Sequence, residues 1–244
     1  TMGRHLETAD KQAILSAIPA SGLTAEAHVG ASFLGVQVGR YALTFSGVAD
    51  ASTNLPRDVF ELLLMGNATA DSMDFEDARG EAISLAEARL STAIPVGATP
   101  WGPVHVGVGL AYLQGLAYAR LEEVEGHLVT RTDGIRGQAT GQLLTAGPGS
   151  GFGLDLGMAA EFGAHWRAGL AVHDAFAQIH FDTDTELRTF LANLDTLDVE
   201  TLEETEDEGD LVVNEDQVTA APPFTVDLPQ VLHVGVGRVT ERTT

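Results

Sequence analysis

The chain has 244 residues, with 35 acids against 13 bases and a formal charge of −22. That balance excludes nucleic acid as a partner, because phosphate binding needs clustered Lys and Arg. With no cysteine, disulfides, thiolate metal sites and cysteine nucleophiles are excluded as well. No apolar run approaches the ~18 residues of a membrane helix. A membrane β-barrel stays open, because its strands alternate and never look hydrophobic in a window. Glycine accounts for 27 residues, above the ~7% of an average chain, and it falls inside apolar runs as well as between them.

The elements follow in chain order. Residues 8–18 read as a short helix, with Thr8 as N-cap, Ile14, Leu15 and Ile18 at helical spacing, and Pro19 with Gly22 as the stop. From Ala25 the chain alternates through Ala27, Val29, Ala31 and Phe33, then slips phase to Leu34, Val36 and Val38, which predicts a bulge. Gly39-Arg40 turns it into Tyr41, Leu43 and Phe45. A second helix is predicted over 56–65, with Asn54 as cap, Val59, Phe60, Leu63 and Leu64 as its stripe, and Gly66 as its end. Residues 82–94 fit either period and are read as a strand with Ala86, Ala88, Leu90 and Ile94 on one face.

Four later segments carry the strongest pattern. Val104, Val106, Val108, Leu110 and Tyr112 alternate with His105, Gly107, Gly109 and Ala111. Phe152, Leu154, Leu156, Met158, Ala160 and Phe162 alternate with Gly153, Asp155, Gly157, Ala159 and Glu161. Trp166, Ala168, Leu170 and Val172 alternate with Arg167, Gly169, Ala171 and His173, and Leu232, Val234 and Val236 with His233, Gly235 and Gly237. Period two means strands with one apolar face. In a soluble sandwich the second face meets water and carries Lys, Thr, Glu and Ser. Here it carries glycine, alanine, histidine and a few charges, as a barrel wall does when its apolar side meets lipid. Val106, Val108, Leu154, Leu156, Phe162, Trp166 and Leu170 are the lipid-facing candidates, with Val234 sharing their parity. His105, Asp155, Glu161, Arg167, His173 and His233 are the lumen-lining candidates. Phe162 and Trp166 flank the Gly163–His165 turn, where an interfacial aromatic girdle would lie.

Parity also predicts a register. Apolar residues must oppose apolar residues, so a three-residue turn at Gly163–His165 pairs Phe162 with Trp166, Glu161 with Arg167 and Asp155 with His173. Counting crossings from the Gly39 turn puts the Gly163–His165 turn at the wrong end unless another crossing lies between residues 119 and 145, where Asp133-Gly134 carries a hairpin signal. Residues 175–228 break the rhythm and read as a long acidic loop region. Eleven acids lie between Asp195 and Asp216 with no basic partner, which predicts an exposed segment with little regular structure.

Catalytic and ligand motifs are weak. The Gly147–Gly153 run lacks the lysine and helix of a phosphate loop, and Pro148 breaks a Gly-x-Ser-x-Gly elbow around Ser150. The eight histidines show no metal-ligand spacing. Asp182, Asp184 and Glu186 lack the remaining ligands of an EF-hand. No catalytic residue, cofactor or metal is predicted.

The segments NLPRDVFELLLMGN (54–67), GVGLAYLQGLAYA (107–119), GPGSGFGLDLGMAAEF (147–162), WRAGLAVHD (166–174) and PPFTVDLPQVLHVGVGRV (222–239) resemble a family of uncharacterised bacterial outer-membrane β-barrels. That family is related distantly to long-chain fatty-acid transporter barrels, and the chain is also similar to barrel subunits serving type IX secretion. The resemblance runs over about residues 8–239 and implies a Gram-negative outer membrane. It implies membrane lipid as partner, with a small apolar or other solute, or surface and secretion proteins, as further partners. The chain starts at Thr1 without a signal peptide and ends at Thr244 without a terminal aromatic strand, so the expectation is a fragment of such a barrel. The expected fold is all-β, an antiparallel meander of an outer-membrane barrel, complete or incomplete, with two short helices, as one domain over 1–244. The expected function is non-enzymatic, as a transport or channel-like protein or a scaffold. The alternative is a soluble secreted β-sandwich binding module.

Overall fold

The computed structural model describes residues 7–66, 72–76, 78–100, 102–131, 134–163, 165–197 and 212–238. In chain order the elements are α1 (Thr8–Ala17), β1 (Leu23–Val38), β2 (Tyr41–Leu55), α2 (Arg57–Met65), β3 (Ser72–Asp74), β4 (Arg79–Thr99), β5 (Gly102–Arg131) and β6 (Gly134–Ala146). They continue with β7 (Gly149–Phe162), β8 (Trp166–Phe181), β9 (Glu186–Leu197), β10 (Val212–Ala220), β11 (Phe224–Asp227) and β12 (Val231–Arg238). The fold is all-β, with the two expected helices. Glu7 rather than Thr8 caps α1, through a capping box with Asp10, and Pro56 rather than Asn54 precedes α2. The Arg57 guanidinium ties the helices together by donating to the Ile18 carbonyl at 3.2 Å.

All twelve strands form one antiparallel sheet, open among the described residues, and β5 is its trunk. One edge of β5 pairs with β4 and then with β3. The other edge pairs with β7 over Val104–Gly115 and with β6 over Tyr118–Arg131. The sheet therefore forks. One wing runs β1-β2-β4-β5-β7-β8-β12, and the other leaves β5 through β6, β9 and β10. The phase slip after Phe33 is a register shift between Ser32 and Leu34. Between 119 and 145 lie the end of β5 and the start of β6, which add a hairpin. β6 and β7 then run in one direction, one after the other along the same edge of β5. The turns after β1, β4 and β7 consequently share one end of the sheet, and the crossing count needs no extra strand.

The described residues of the expected loop, 175–197 and 212–228, are largely strand. They contain the end of β8, then β9, β10 and β11, while 198–211 of the acidic run lie outside the described residues. Backbone pairing of β9 with β6 along Ile135–Thr145 organises the first part of this stretch. Charge is locally compensated too: Arg188 Nε donates to both oxygens of Asp216, at 2.7 and 2.9 Å. These hydrogen bonds, with the attraction of the guanidinium, hold the Asp216 carboxyl below the usual carboxylate range.

The first wing has two unlike faces. Across six strands, Val36, Leu43, Leu90, Leu110, Leu154 and Phe176 stand in register. A second row runs through Ile94, Val106, Met158, Leu170 and Val234. These side chains are not packed into a core: Leu110 is 62% and Val234 71% exposed. The opposite face is small and polar near the shared turns and becomes apolar where the wings part. There Leu85, Leu113, Tyr118, Ile179 and Phe181 are buried, with Phe224, Val226 and Leu228 packed against them. Tyr118, Phe181 and Phe224 form a ring cluster with centroids 5.2–5.6 Å apart. Glycine at 115 makes this possible, since a Cβ there would lie 2.8 Å from the Phe181 ring.

Candidate functional site: a charged belt beside the apolar plug

The small-residue face is zoned along the strands. Nearest the turns is a depression of about 450 Å³ lined by His105, Gly107, Gly157, Gly169, His233 and Gly235 among others. Next comes a belt of charge, then the aromatic and aliphatic cluster, hereafter the plug. Beyond the plug an open groove of about 1010 Å³ is lined by Glu26, Glu81, Glu122, Glu125, Arg79 and Arg120 with their polar neighbours.

The belt is centred on Arg89, 8% exposed. Its Nη1 pairs with the Asp155 carboxylate. Its Nη2 reaches Glu87 Oε2 at 2.7 Å, His173 Nε2 at 3.1 Å and Asp174 Oδ1 at 3.3 Å. Ser46 donates to Glu87 Oε1 at 2.5 Å. A guanidinium can only donate, so His173 Nε2 accepts and its Nδ1, 3.3 Å from Asp155 Oδ1, carries the proton. Three carboxylates thus surround one arginine, leaving two formal negative charges with His173 neutral.

A break in the β7–β8 ladder builds this belt. Leu156 pairs with Val172 and Leu154 with Phe176, so three residues of β8 lie across from Asp155 alone. Asp174 takes the left-handed region at φ 52°, uncommon for a residue with a side chain. Its N–H donates to Asp155 Oδ1 at 2.9 Å, replacing a ladder bond with a side-chain one. Gly109 leaves room for that carboxylate, because a Cβ there would sit 2.7 Å from Asp155 Oδ2. Ligand atoms of Asp155, His173 and Asp174 lie within 4.8 Å of one another, the one such group among the described residues. Arg89 already occupies both carboxylates, however, and acts as their resident cation. Asp182, Asp184 and Glu186 form no such cluster.

The predicted residues divide accordingly. Val106, Val108, Leu156, Phe162, Trp166 and Leu170 are exposed on the apolar face, with Leu154 half-buried beside them. Phe162 pairs with Trp166 and Glu161 with Arg167, whose side chains meet at 3.0 Å. Asp155 and His173 meet as side chains but are not ladder partners, because the bulge intervenes. His233 stands with its ring 6.5 Å from that of His173. His105 lies in the depression, and the Glu161–Arg167 pair sits by the turn, so neither joins the belt. Arg89, Glu87, Asp174 and Ser46 are functional candidates that sequence reasoning missed. The signal for two of them was present, since Glu87 and Arg89 alternate with Ala86, Ala88 and Leu90.

Beyond the plug, Tyr118 donates to Glu81 Oε1 at 2.8 Å. Burial, aided by that hydrogen bond, pushes the phenol well above its ordinary value. A raised folded value means that this stability is fully present below the unfolded value near ~10 and is lost as pH rises through the folded one. The urea midpoint is expected to fall between pH 9 and 11 more steeply in the native protein than in Tyr118→Phe. Parallel curves would show that Tyr118 does not carry the alkaline loss.

Fold and site together define a class: an antiparallel β protein, its sheet open among the described residues, with an exposed apolar face and a charged belt on the opposite face. A family of unknown function, DUF5723, matches residues 9–147, more than half the chain, and the chain belongs to it. No curated protein and no solved structure matches it.

Proposed function

We propose that this is a non-enzymatic β-barrel protein of a Gram-negative outer membrane, with its apolar face on lipid and its small-residue face lining a lumen. The observation that carries the reading is the exposed apolar surface continuous over the first wing, backed by glycine and charge. A soluble sandwich would bury that face against a second sheet. The alternating run Val104–Tyr112 has nine residues, and ~9–11 tilted residues cross a bilayer core. The resemblance to fatty-acid transporter and secretion barrels supports a role in passing a small apolar or other solute, or in scaffolding surface partners. The plug favours a gated route over a standing pore.

The test is insertion. Protein refolded with phosphatidylcholine vesicles is expected to float with them, resist alkaline carbonate extraction and require detergent for release. Recovery as a soluble monomer without detergent would overturn the reading in favour of the secreted sandwich module.

A further inference from the structure

The belt and the plug share a strand. At the bulge, β8 carries His173 and Asp174. Just above it, Ala177, Ile179 and Phe181 supply three members of the buried cluster. Asp155 pins the bulge through the Asp174 N–H and His173 Nδ1. Of the belt's titratable members, His173 is the most open, with its side chain 37% exposed.

From these placements, and resting on the lumen reading above, we infer that His173 is a proton-operated latch whose protonation loosens the plug. The groups facing it are Arg89 and Glu87 from β4, Asp155 from β7, Asp174 on its own strand and His233 from β12. No charged residue faces it from β5, where Gly109 and Ala111 lie beneath the belt. In the neutral ring Nε2 accepts from Arg89. A proton on Nε2 turns that contact into two donors and two positive charges about 3 Å apart, which must separate. The available acceptor is Asp174 Oδ2, 3.5 Å from Nε2. Asp174 already gives its Oδ1 to Arg89, so an imidazolium on Oδ2 sets the two cations competing for one carboxylate. Asp174 is also the residue held at positive φ, so the bulge is where the strand gives.

The absence of cysteine allows a direct test in the protein folded in detergent. Ala177→Cys places a thiol in the plug, where Ala177 is 5% exposed. His165→Cys, in the exposed turn, serves as the pH reference for the reagent. The maleimide labelling rate at 177 relative to 165 is expected to rise about tenfold from pH 8 to 5.5, the effect of one unit of proton linkage. His173→Gln, and His173→Asn as a second replacement, should abolish the rise, whereas His233→Gln should keep it. A flat profile with His173 in place, or a rise that survives both replacements, overturns the latch. The measurement does not involve vesicles, so its failure is distinct from failure to insert.

Discussion

Arg89→Met is expected to cost the folded protein about 3–5 kcal/mol, the range for breaking a buried ion pair by removing one partner. Arg89 is 8% exposed and contacts Glu87, Asp155, Asp174 and His173. Methionine fills similar space but leaves three carboxylates facing one another without a cation. The damage extends to the backbone, because Asp155 also holds the Asp174 N–H at the bulge. Urea unfolding followed by tryptophan fluorescence provides the measurement. Adding Glu87→Gln and Asp155→Asn to Arg89→Met should recover part of the loss by removing the stranded charges. A loss under ~1 kcal/mol would mean that the belt is solvated like a surface ion pair.

Leu110→Arg is expected to cost about 2–4 kcal/mol in protein folded into vesicles, the range for a cation on the lipid face at the bilayer midplane. Leu110 lies inside the run Val104–Tyr112 and is 62% exposed. Its cross-strand neighbours Leu90 and Leu154 are apolar. In a water-exposed sheet the same change would be nearly neutral, within ~0.5 kcal/mol. Leu63→Arg on α2 is the control, at 75% exposure outside the sheet, and should stay within that limit. Equal effects at the two positions would show that the outer face does not meet lipid. A larger cost at 110 in vesicles than in micelles of short detergent would strengthen the assignment.

Local pattern determines much of this fold. The alternation in 104–112, 152–162, 166–172 and 232–236 appears as β5, β7, β8 and β12, with apolar residues on one exposed face. Both helices lie where their apolar stripes and stop residues place them, although Glu7 and Pro56 stand at the caps expected of Thr8 and Asn54. The bulge near Phe33 and the pairing of Glu161 with Arg167 follow from parity alone. Each depends on neighbouring residues or on a short hairpin, and period two leaves few alternatives there.

What the sequence by itself determined is therefore the strand character, the two unlike faces and the register of a short hairpin. Only the tertiary structure decided that β5 continues to Arg131 and pairs with two strands along one edge. It also decided that 186–197 and 212–220 are strands rather than an acidic loop, because β6 offers β9 a partner about 50 residues away in the chain. The belt belongs to this second group. Arg89 and Asp155 are separated by 66 residues, and Arg89 and Asp174 by 85. They meet because β4, β5, β7 and β8 lie side by side and a two-residue excess in β8 turns Asp174 toward Asp155. Periodicity reports which face a residue occupies, but the height at which distant strands align is set by hydrogen bonding across the whole sheet.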